Sequence, residues 1–507
     1  MTNRILRSML VPVALLFSAA CVELDVTNPN QPDVERALSS PEDVAAIASS
    51  SVNSWWLATT HYEPSMMLQV TADAATANFG NFGMRFNNEQ PRIAYNNNSA
   101  SGDANVAARP WTRNYSAIGA ANDALRAMDG GIVIAGGVDA NERVRSAALF
   151  TQAGTLSNLA MLFDQAFVVD QASTGLPTLE PYTAVRDAAR ARWDELITLT
   201  QGKAWSWDEA WFPLTGGAVS AATLNRIANT MAARLLVYSA RTLAETQSSV
   251  PWAQVLTYAD RGITGTGLTD MDVAVVDDGG TLWYDYIKLY GNLHSWTRVD
   301  QRVINRMAPN IPVMFNGLPN QPAPTPTDNR LGIATLPCGS NPVSCTASNT
   351  EDFVYTGTVI GDPGRGIWMQ SPFWHRRWQN VSFTVAGSVR TGNPDVHILA
   401  AENDLIIAEA LARTGGDLTR AAALVNKTRV TRGGLTAVAA NATDILAAIE
   451  YERDVELLNT GGISLFDRRR IDGLQAGTAR HLPIPASELE VLALPIYTFG
   501  GIGLPDM

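Results

Sequence analysis

Segments with the periodicity of an α-helix recur along most of this chain and restrict the folds that it can adopt. Apolar residues return every three or four positions, as expected of helices with one buried face. Short connections join many of these segments, which favours antiparallel helix pairs. Repeated pairs with alanines at contact points predict a mainly α scaffold of the tetratricopeptide type, although the full consensus repeat of about 34 residues is missing. The segments cover about 111–128, 139–165, 182–200, 221–245, 251–264, 396–414, 417–431 and 442–459.

An additional helix at the start of the scaffold carries clear capping signals. Ser40 is a good N-cap, Pro41 suits the first helical position, and Asp43 places a negative charge in the first turn. Val44 and Trp55 lie on one apolar stripe of the residues that follow. We therefore predict a helix over 40–60.

Two regions lack helical periodicity and are predicted to be long, irregular insertions with little strand. Residues 61–107 are rich in Asn, Gly and Phe, and residues 265–395 contain Pro/Gly-rich loops and many aromatics. The predicted scaffold therefore comprises 40–60, 108–264 and 396–507, within a single domain over 40–507. Because long loops on a rigid scaffold often carry function, we expect the ligand site in the insertions.

The N-terminus has the features of an export signal. Basic residues precede an apolar run that is too short to span a bilayer and that ends at Cys21. The sequence SAAC resembles a lipoprotein box, which favours lipidation of Cys21, although Ser18 stands where an aliphatic residue is usual. Ordinary signal-peptidase cleavage is the alternative. Either outcome predicts a signal peptide over 1–20 and a polar tether over 21–39.

The two remaining cysteines, Cys338 and Cys345, are close together in CGSNPVSC. A close pair in an exported protein favours a disulfide. A zinc site is disfavoured because no second cysteine pair or nearby histidine completes a tetrahedral set. No segment beyond the signal has 18 or more continuous apolar residues, so we expect no membrane span.

Charge and motifs argue against several functional classes. The chain has 37 basic and 49 acidic residues, a formal charge of −12, and such an acidic chain is a poor default nucleic-acid binder because binding to the phosphates needs a basic face. No common hydrolase, metalloprotease or phosphate-loop motif is present, and the histidines are scattered. The acidic group from Asp270 to Asp278 lacks the spacing of a calcium loop. We expect no catalytic residue, cofactor or metal.

The stretch ERDVELLNTGGISLFDRRR, residues 452–470, concentrates charge. Its carboxylates could be catalytic, its arginines could bind nucleic acid, or the charges could be structural. The first possibility lacks a nucleophile or metal ligand, and the acidic chain disfavours the second. Glu450, Arg453 and Glu456 are three residues apart, which predicts that Arg453 lies between two carboxylates on a helix. We expect a structural role and a left-handed turn that includes Gly461.

Aromatic and amide residues in the two insertions suggest an uncharged glycan as ligand. Sugar rings have apolar C–H faces that stack on aromatic rings, while amide side chains can hydrogen bond to their hydroxyls. Packing of the loops on the helices is the alternative role for each ring. We predict that Trp283 and Trp296 are the main anchors and are at least partly exposed. The predicted ligand-binding residues are Phe82, Phe86, Asn87, Trp283, Tyr284 and Trp296.

Several motifs resemble those of the SusD/RagB family of nutrient-binding outer-membrane lipoproteins. AENDLIIAEALARTGG resembles the first of the family's paired helices, and IEYERDVELLNTGGISLFDRRR is similar to its E-R-x-x-E-L and D-x-R-R signature. HLPIPASELE resembles its final L-P-I-P-x-x-E turn, and DNRL at 328–331 resembles a family loop. One departure is Thr460-Gly461-Gly462-Ile463, where the family often has Glu-Gly-x-Arg.

The resemblance implies tetratricopeptide-like units that support a loop-rich region, without enzyme activity. It also implies a protein that is lipid-anchored in the outer membrane, faces outward, and forms a lid on a SusC-like, TonB-dependent transporter. Such proteins deliver glycans or peptides to the transporter. We therefore predict an oligosaccharide-binding lipoprotein, with a peptide- or protein-binding scaffold of the same architecture as the alternative.

Overall fold

A computed structural model describes residues 38–77, 79–278, 282–291, 297–315, 322–332, 351–357, 359, 366, 370–378 and 394–503. α-Helices dominate these ranges and strands are short, so the predicted mainly α fold is confirmed. The helices are α1 Pro41–Thr60, α2 Tyr62–Thr71, α3 Met84–Asn87, α4 Asn105–Asp129, α5 Val138–Leu162, α6 Tyr182–Thr200, α7 Ala221–Tyr238, α8 Leu243–Ser248, α9 Trp252–Ala259, α10 Tyr286–Gly291, α11 Gln301–Met307, α12 Ala400–Thr414, α13 Leu418–Arg429, α14 Ala442–Val455, α15 Ser464–Arg469 and α16 Ala486–Val491.

Short strands pair in small sheets beside the helices. The strands are β1 Ala75–Thr76, β2 Gln165–Phe167, β3 Leu179–Pro181, β4 Val273–Val276, β5 Arg298–Val299, β6 Leu331–Gly332, β7 Phe353–Tyr355, β8 Phe373–His375 and β9 Pro394–Ile398. The antiparallel pairs are β1 with β5, β2 with β3 and β4 with β9, and a three-stranded sheet has the order β6-β7-β8 with β6 parallel to β7.

Consecutive long helices pack against one another, as the short connections predicted. The main contacts join α4 to α5, α5 to α6, α6 to α7 and α12 to α13, while α1 packs on both α4 and α5. The α1 start is also as predicted, because the Ser40 hydroxyl accepts a hydrogen bond from the backbone N–H of Asp43. These contacts form a continuous scaffold core.

Helix α5 is the most deeply embedded part of the scaffold. It is buried on every face from Ser146 to Ala160. Gly154 on this helix allows Trp55 of α1 to approach, because a Cβ added at Gly154 would lie 2.4 Å from the indole nitrogen. Trp55 also packs edge-on against Phe150, with ring centroids 4.8 Å apart. Because Gly154 has no side chain, α1 can pack closely on α5 at this position.

The first predicted insertion contains regular structure that its sequence pattern did not indicate. Helix α2 is buried from Glu63 to Thr71. Its buried residues include the polar side chains of Glu63, Ser65 and Gln69 among the apolar ones, so the sequence has no amphipathic stripe that periodicity could reveal. The insertion is therefore partly a buried helix and partly loop.

The charges of the C-terminal stretch form buried ion pairs, but Arg453 has different partners from those predicted. Arg453 is buried and contacts Glu409 of α12 and Asp467 of α15. Arg470 donates two hydrogen bonds to the same Glu409, at 2.8 and 2.9 Å. The prediction that Glu450 and Glu456 flank Arg453 is wrong, because tertiary contacts supply closer carboxylates than its own helix does.

A second network ties the loop at 328–331 to helix α14. Arg330 donates to Asp328, to Glu452 and, at 3.0 Å, to Glu456. All of these side chains are nearly inaccessible to solvent. Gly461 has a φ of 55°, so the predicted left-handed turn is present. The charged stretch thus fastens the C-terminal helices to the rest of the scaffold.

Several predicted features lie outside the described residues. These are the signal peptide over 1–20, the lipidation candidate Cys21, and the disulfide candidates Cys338 and Cys345. In the part of the chain that is described, no helix combines the length and apolar character needed to cross a membrane.

Candidate functional site

Five half-buried aromatic side chains meet where the first insertion contacts the segment around α10. His61 and Tyr62 lie at the junction of α1 and α2, Phe82 lies in a 3-10 turn, and Tyr284 and Tyr286 lie at the start of α10. We call these five residues the aromatic cluster. Each retains some solvent-accessible surface, which distinguishes the cluster from the fully buried rings of the core.

Tyr62 is the centre of the aromatic cluster. Its ring stacks on Phe82 with centroids 4.0 Å apart and planes inclined by 25°. The rings of His61 and Tyr286 lie 3.8 and 4.8 Å from Tyr62, and Tyr284 lies 4.9 Å from Tyr286. The cluster therefore combines stacked and edge-on rings in one continuous apolar patch.

Phe82 reaches Tyr62 from an unusual backbone conformation. Its φ is 58°, in the left-handed region that costs a residue with a Cβ roughly 1–2 kcal/mol. The Asn87 side chain stabilises the turn by donating a hydrogen bond to the carbonyl oxygen of Gly83 at 2.8 Å. Strain of this kind is typical of positions where a side chain must be held in place for function.

The Tyr284 side of the cluster is held through its main chain. The indole N–H of Trp56 donates to the Tyr284 carbonyl oxygen at 2.9 Å, and the Thr60 hydroxyl donates to the same atom at 3.2 Å. These bonds do not involve the Tyr284 ring. The scaffold thus fixes the position of the ring and leaves its phenol group available for other contacts.

Charged groups border the aromatic cluster on one side. Arg109 donates to the buried Glu63 carboxylate at 3.0 Å and to the Tyr62 hydroxyl at 3.1 Å. Arg113 donates to the Glu63 carbonyl oxygen at 3.1 Å. Burial lowers the pKa of His61, against a hydrogen bond to Glu63 that raises it, so the imidazole is neutral at neutral pH. The border has one carboxylate and two guanidinium groups. Of the two arginine side chains, Arg109 is the more exposed, at 38%.

The structure brings together two of the predicted site residues, Phe82 and Tyr284, through Tyr62 and Tyr286. Phe86 is directed elsewhere: it is half-buried and packs edge-on against Tyr95, 5.9 Å away. Asn87 supports the turn, as described above. Trp296 lies outside the described residues.

Trp283 does not have the predicted exposure. Only 6% of its surface is accessible, and its ring packs against Trp56 and Phe212 with centroids 6.0 and 5.7 Å away. Burial of its large apolar surface joins this loop to the core. The prediction that Trp283 is partly exposed is therefore wrong, and its neighbour Tyr284 supplies the accessible ring.

The acidic group between 270 and 278 is used for local contacts. Asp270 pairs with Lys427 at 2.9 Å, and Asp272 accepts a hydrogen bond from the backbone N–H of Ala400 at 2.7 Å. The Asp278 carboxylate accepts from the N–H of Leu282. Across the described ranges, no group of three or more His, Cys, Asp or Glu side chains is arranged to hold a metal ion.

Sequence reasoning missed His61 and Tyr62 and the two arginines beside them. The available signal was HYEP at 61–64, an aromatic pair at the end of the first predicted helix. Arg109 and Arg113 are four residues apart and so share one face of α4, but only the fold shows that this face points toward Tyr62.

No protein-family model matches the chain, and no curated protein matches its sequence. Solved structures do match. A SusD superfamily protein from Parabacteroides distasonis has a TM-score of 0.62 at 13% identity, over 89% of this chain and 98% of that chain. A SusD superfamily protein from Bacteroides vulgatus has a TM-score of 0.59 at 15% identity, over 89% and 97% of the two chains. The chain has the SusD fold.

A third match to the SusD fold is described as a SusD-like carbohydrate-binding protein, from Bacteroides fragilis. Its TM-score is 0.56 at 14% identity, over 86% of each chain. The SusD fold that the sequence motifs implied is therefore present along most of this chain.

Proposed function

We propose that this protein binds an oligosaccharide through the aromatic cluster. The observation that carries the proposal is the stacking of Phe82 on Tyr62 beside the half-exposed rings of Tyr284 and Tyr286. Accessible aromatic rings offer faces to sugar C–H groups, and the tyrosine hydroxyls can hydrogen bond to sugar hydroxyls. The solved structures described as SusD-like carbohydrate-binding proteins support the same conclusion.

The charged border supports a second candidate ligand. Arg109 is partly exposed next to the rings and could bind a peptide carboxylate through its guanidinium group. However, Arg109 already pairs with Glu63, which reduces the charge that it offers. We therefore favour a glycan and retain a peptide as the alternative.

The cellular role that we propose follows from the sequence motifs. The protein would be anchored by lipid at Cys21 to the outer membrane, facing outward. It would pass its ligand to a SusC-like, TonB-dependent transporter and would act without catalysis. The export signal and the resemblance of the C-terminal motifs support this role.

Isothermal titration calorimetry with a panel of neutral oligosaccharides tests the proposed ligand, and an equivalent panel of peptides tests the alternative. We expect binding to at least one oligosaccharide, in the micromolar range or weaker because the site is open to water. Tyr284→Ala should reduce the affinity about tenfold. Its main-chain hydrogen bonds to Trp56 and Thr60 remain, so the variant should stay folded.

Tyr182→Ala is a matched control. Tyr182 is also a half-buried tyrosine, but it lies at the start of α6 and contacts Glu245 and Arg241. This variant should bind as the wild type does. Equal binding by the wild type and Tyr284→Ala would overturn the proposed site, while binding to peptides alone would favour the second candidate.

A further inference from the structure

A cavity of about 350 Å3 lies between α11, the first insertion and the residues that follow α15. Its volume is at the lower end of the roughly 300–1,000 Å3 that is usual for small-molecule sites. None of its lining residues belongs to the aromatic cluster. The polar residues that carry the inference are Asp73, Asp300, Arg302, Gln370, Arg468 and Gln475.

Two deeply buried lining residues have polar atoms without a hydrogen-bond partner. Asp73 is 1% exposed; one carboxylate oxygen pairs with Arg92, and the other, Oδ2, has no partner among the described residues. Gln370 is 2% exposed, and its Nε2 likewise has none. An unpaired buried polar group costs free energy, so such groups call for a ligand or ordered water. One unmet acceptor and one unmet donor therefore line the same cavity.

A third unpaired group, and the second donor, is present on an arginine of the lining. The Arg468 Nη2 group donates to the Gly473 carbonyl oxygen, but its Nε has no partner in the described part of the chain. The nearest carboxylate, on Asp454, is 4.0 Å from its Nη1. Among the described residues, those that line the cavity thus carry two unpaired donors in addition to the unpaired Asp73 oxygen.

The charges of the lining restrict the ligand. The carboxyl groups of Asp73 and Asp300 and the guanidinium groups of Arg302 and Arg468 all belong to the lining, so a ligand would meet groups of both signs. A simple anion would meet the carboxylates, and an ammonium ion would meet the guanidinium groups. A hydroxyl group both donates and accepts, so it can satisfy Asp73 and Gln370 alike.

The entrance adds an apolar surface. Val313 and Met314 line the cavity and are 51% and 48% exposed. Such side chains can pack against C–H groups of a ligand whose hydroxyls face the polar interior.

From these observations we propose that this cavity is a second binding site, for a small neutral polyhydroxyl compound. A free hexose, an alditol or the end of an oligosaccharide would supply the required chemistry. The site is separate from the aromatic cluster and does not depend on the function proposed for it.

Ligand-observed NMR can test the site with glucose, galactose, mannose and mannitol, and with glucuronate and glucosamine as charged comparisons. Comparing a neutral oligosaccharide whose reducing end is blocked with the same oligosaccharide in its free form tests whether the cavity binds the reducing end. We expect at least one neutral compound to bind, and the charged ones to bind more weakly. Gln370→Leu should weaken that binding about tenfold by removing the unmet donor without changing the size of the side chain greatly.

Two further variants decide between sites. Gln475→Ala, which shortens a half-buried lining residue, should also weaken binding, whereas Tyr284→Ala should leave it unchanged. The melting temperature of Gln370→Leu should not fall, because the amide nitrogen that it loses makes no hydrogen bond. The proposal is overturned if no neutral compound binds, if binding survives both lining substitutions, or if Tyr284→Ala alone abolishes it.

Discussion

The guanidinium group of Arg453 lies 2.9 Å from the carboxylate of Glu409, although the two residues are on different helices, α14 and α12. Both side chains are nearly inaccessible to solvent, and Arg470 binds the same carboxylate. The surrounding arginines hold the pKa of Glu409 well below its usual range, against the effect of its burial. Through these buried ion pairs, the Glu409 carboxylate of α12 connects to α14 and to the end of α15.

Arg453→Ala should destabilise the fold by roughly 3–5 kcal/mol, because it removes a positive charge that pairs with the buried carboxylates of Glu409 and Asp467. Chemical denaturation would measure the loss. Arg413→Ala is the matched control, since Arg413 also pairs with Glu409 but is 14% exposed. Its effect should be clearly smaller. Equal losses of stability in the two variants would show that burial does not determine how much the ion pairs of Arg453 contribute to the stability of the fold.

Two glycine-to-alanine substitutions test the helix packing. Gly154→Ala should destabilise by roughly 1–3 kcal/mol, because the new methyl group overlaps the Trp55 ring. Gly119→Ala, on α4, meets nothing within 4 Å and should stabilise by about 0.5–1 kcal/mol through helix propensity. Thermal melting of both variants would check the opposite signs. If Gly154→Ala did not lose stability, that result would contradict the close approach of α1 and α5.

Asp300 should make stability depend on pH. Burial, followed by repulsion from Asp73, raises the pKa of Asp300 to about 7. In the unfolded chain the carboxyl has a pKa of about 3.9. The folded state therefore holds the proton more tightly, so the stability from this group is complete below pH ~4 and is lost as pH rises through about 7.

Asp300→Asn removes this titration and keeps the N-cap of α11, because an amide oxygen can still accept from the Arg302 N–H. At pH ~8 the variant should be more stable than the wild type, and the difference should shrink toward pH ~4. Denaturant midpoints across this range provide the measurement. A difference that does not change with pH would show that Asp300 does not titrate there.

Lipidation at Cys21 is a separate prediction from the sequence. Mass spectrometry of the mature N-terminus should find a diacylglyceryl cysteine, and Cys21→Ala should move the protein from the membrane fraction to the soluble one. An unmodified N-terminus in the wild type would support ordinary signal-peptidase cleavage instead.

The sequence predicts the scaffold well because long amphipathic helices have a clear period. The predicted segments 182–200 and 396–414 correspond closely to Tyr182–Thr200 and Ala400–Thr414. Helix α2 was missed because it is buried on nearly all sides and its buried residues mix polar with apolar side chains, so it has no amphipathic pattern. The partners of Arg453 were missed because they lie on other helices, Glu409 on α12 and Asp467 on α15, while helical spacing indicates only neighbours on the same helix.

The candidate site was predicted only in outline. Aromatic composition identified the two regions that meet, including Phe82 and Tyr284. It could not show which ring of a neighbouring pair enters the core, because Trp283 and Tyr284 both have large apolar surfaces. Tyr62 was missed because its role depends on the fold bringing a helix junction next to Phe82.

A crystal structure of the protein with its best-binding oligosaccharide tests most directly whether the aromatic cluster holds the ligand. We expect a sugar ring in contact with Tyr284 or Tyr286, next to the stacked pair of Tyr62 and Phe82. An oligosaccharide bound at a surface that contacts none of these rings, with the cluster open to solvent, would contradict the proposed site.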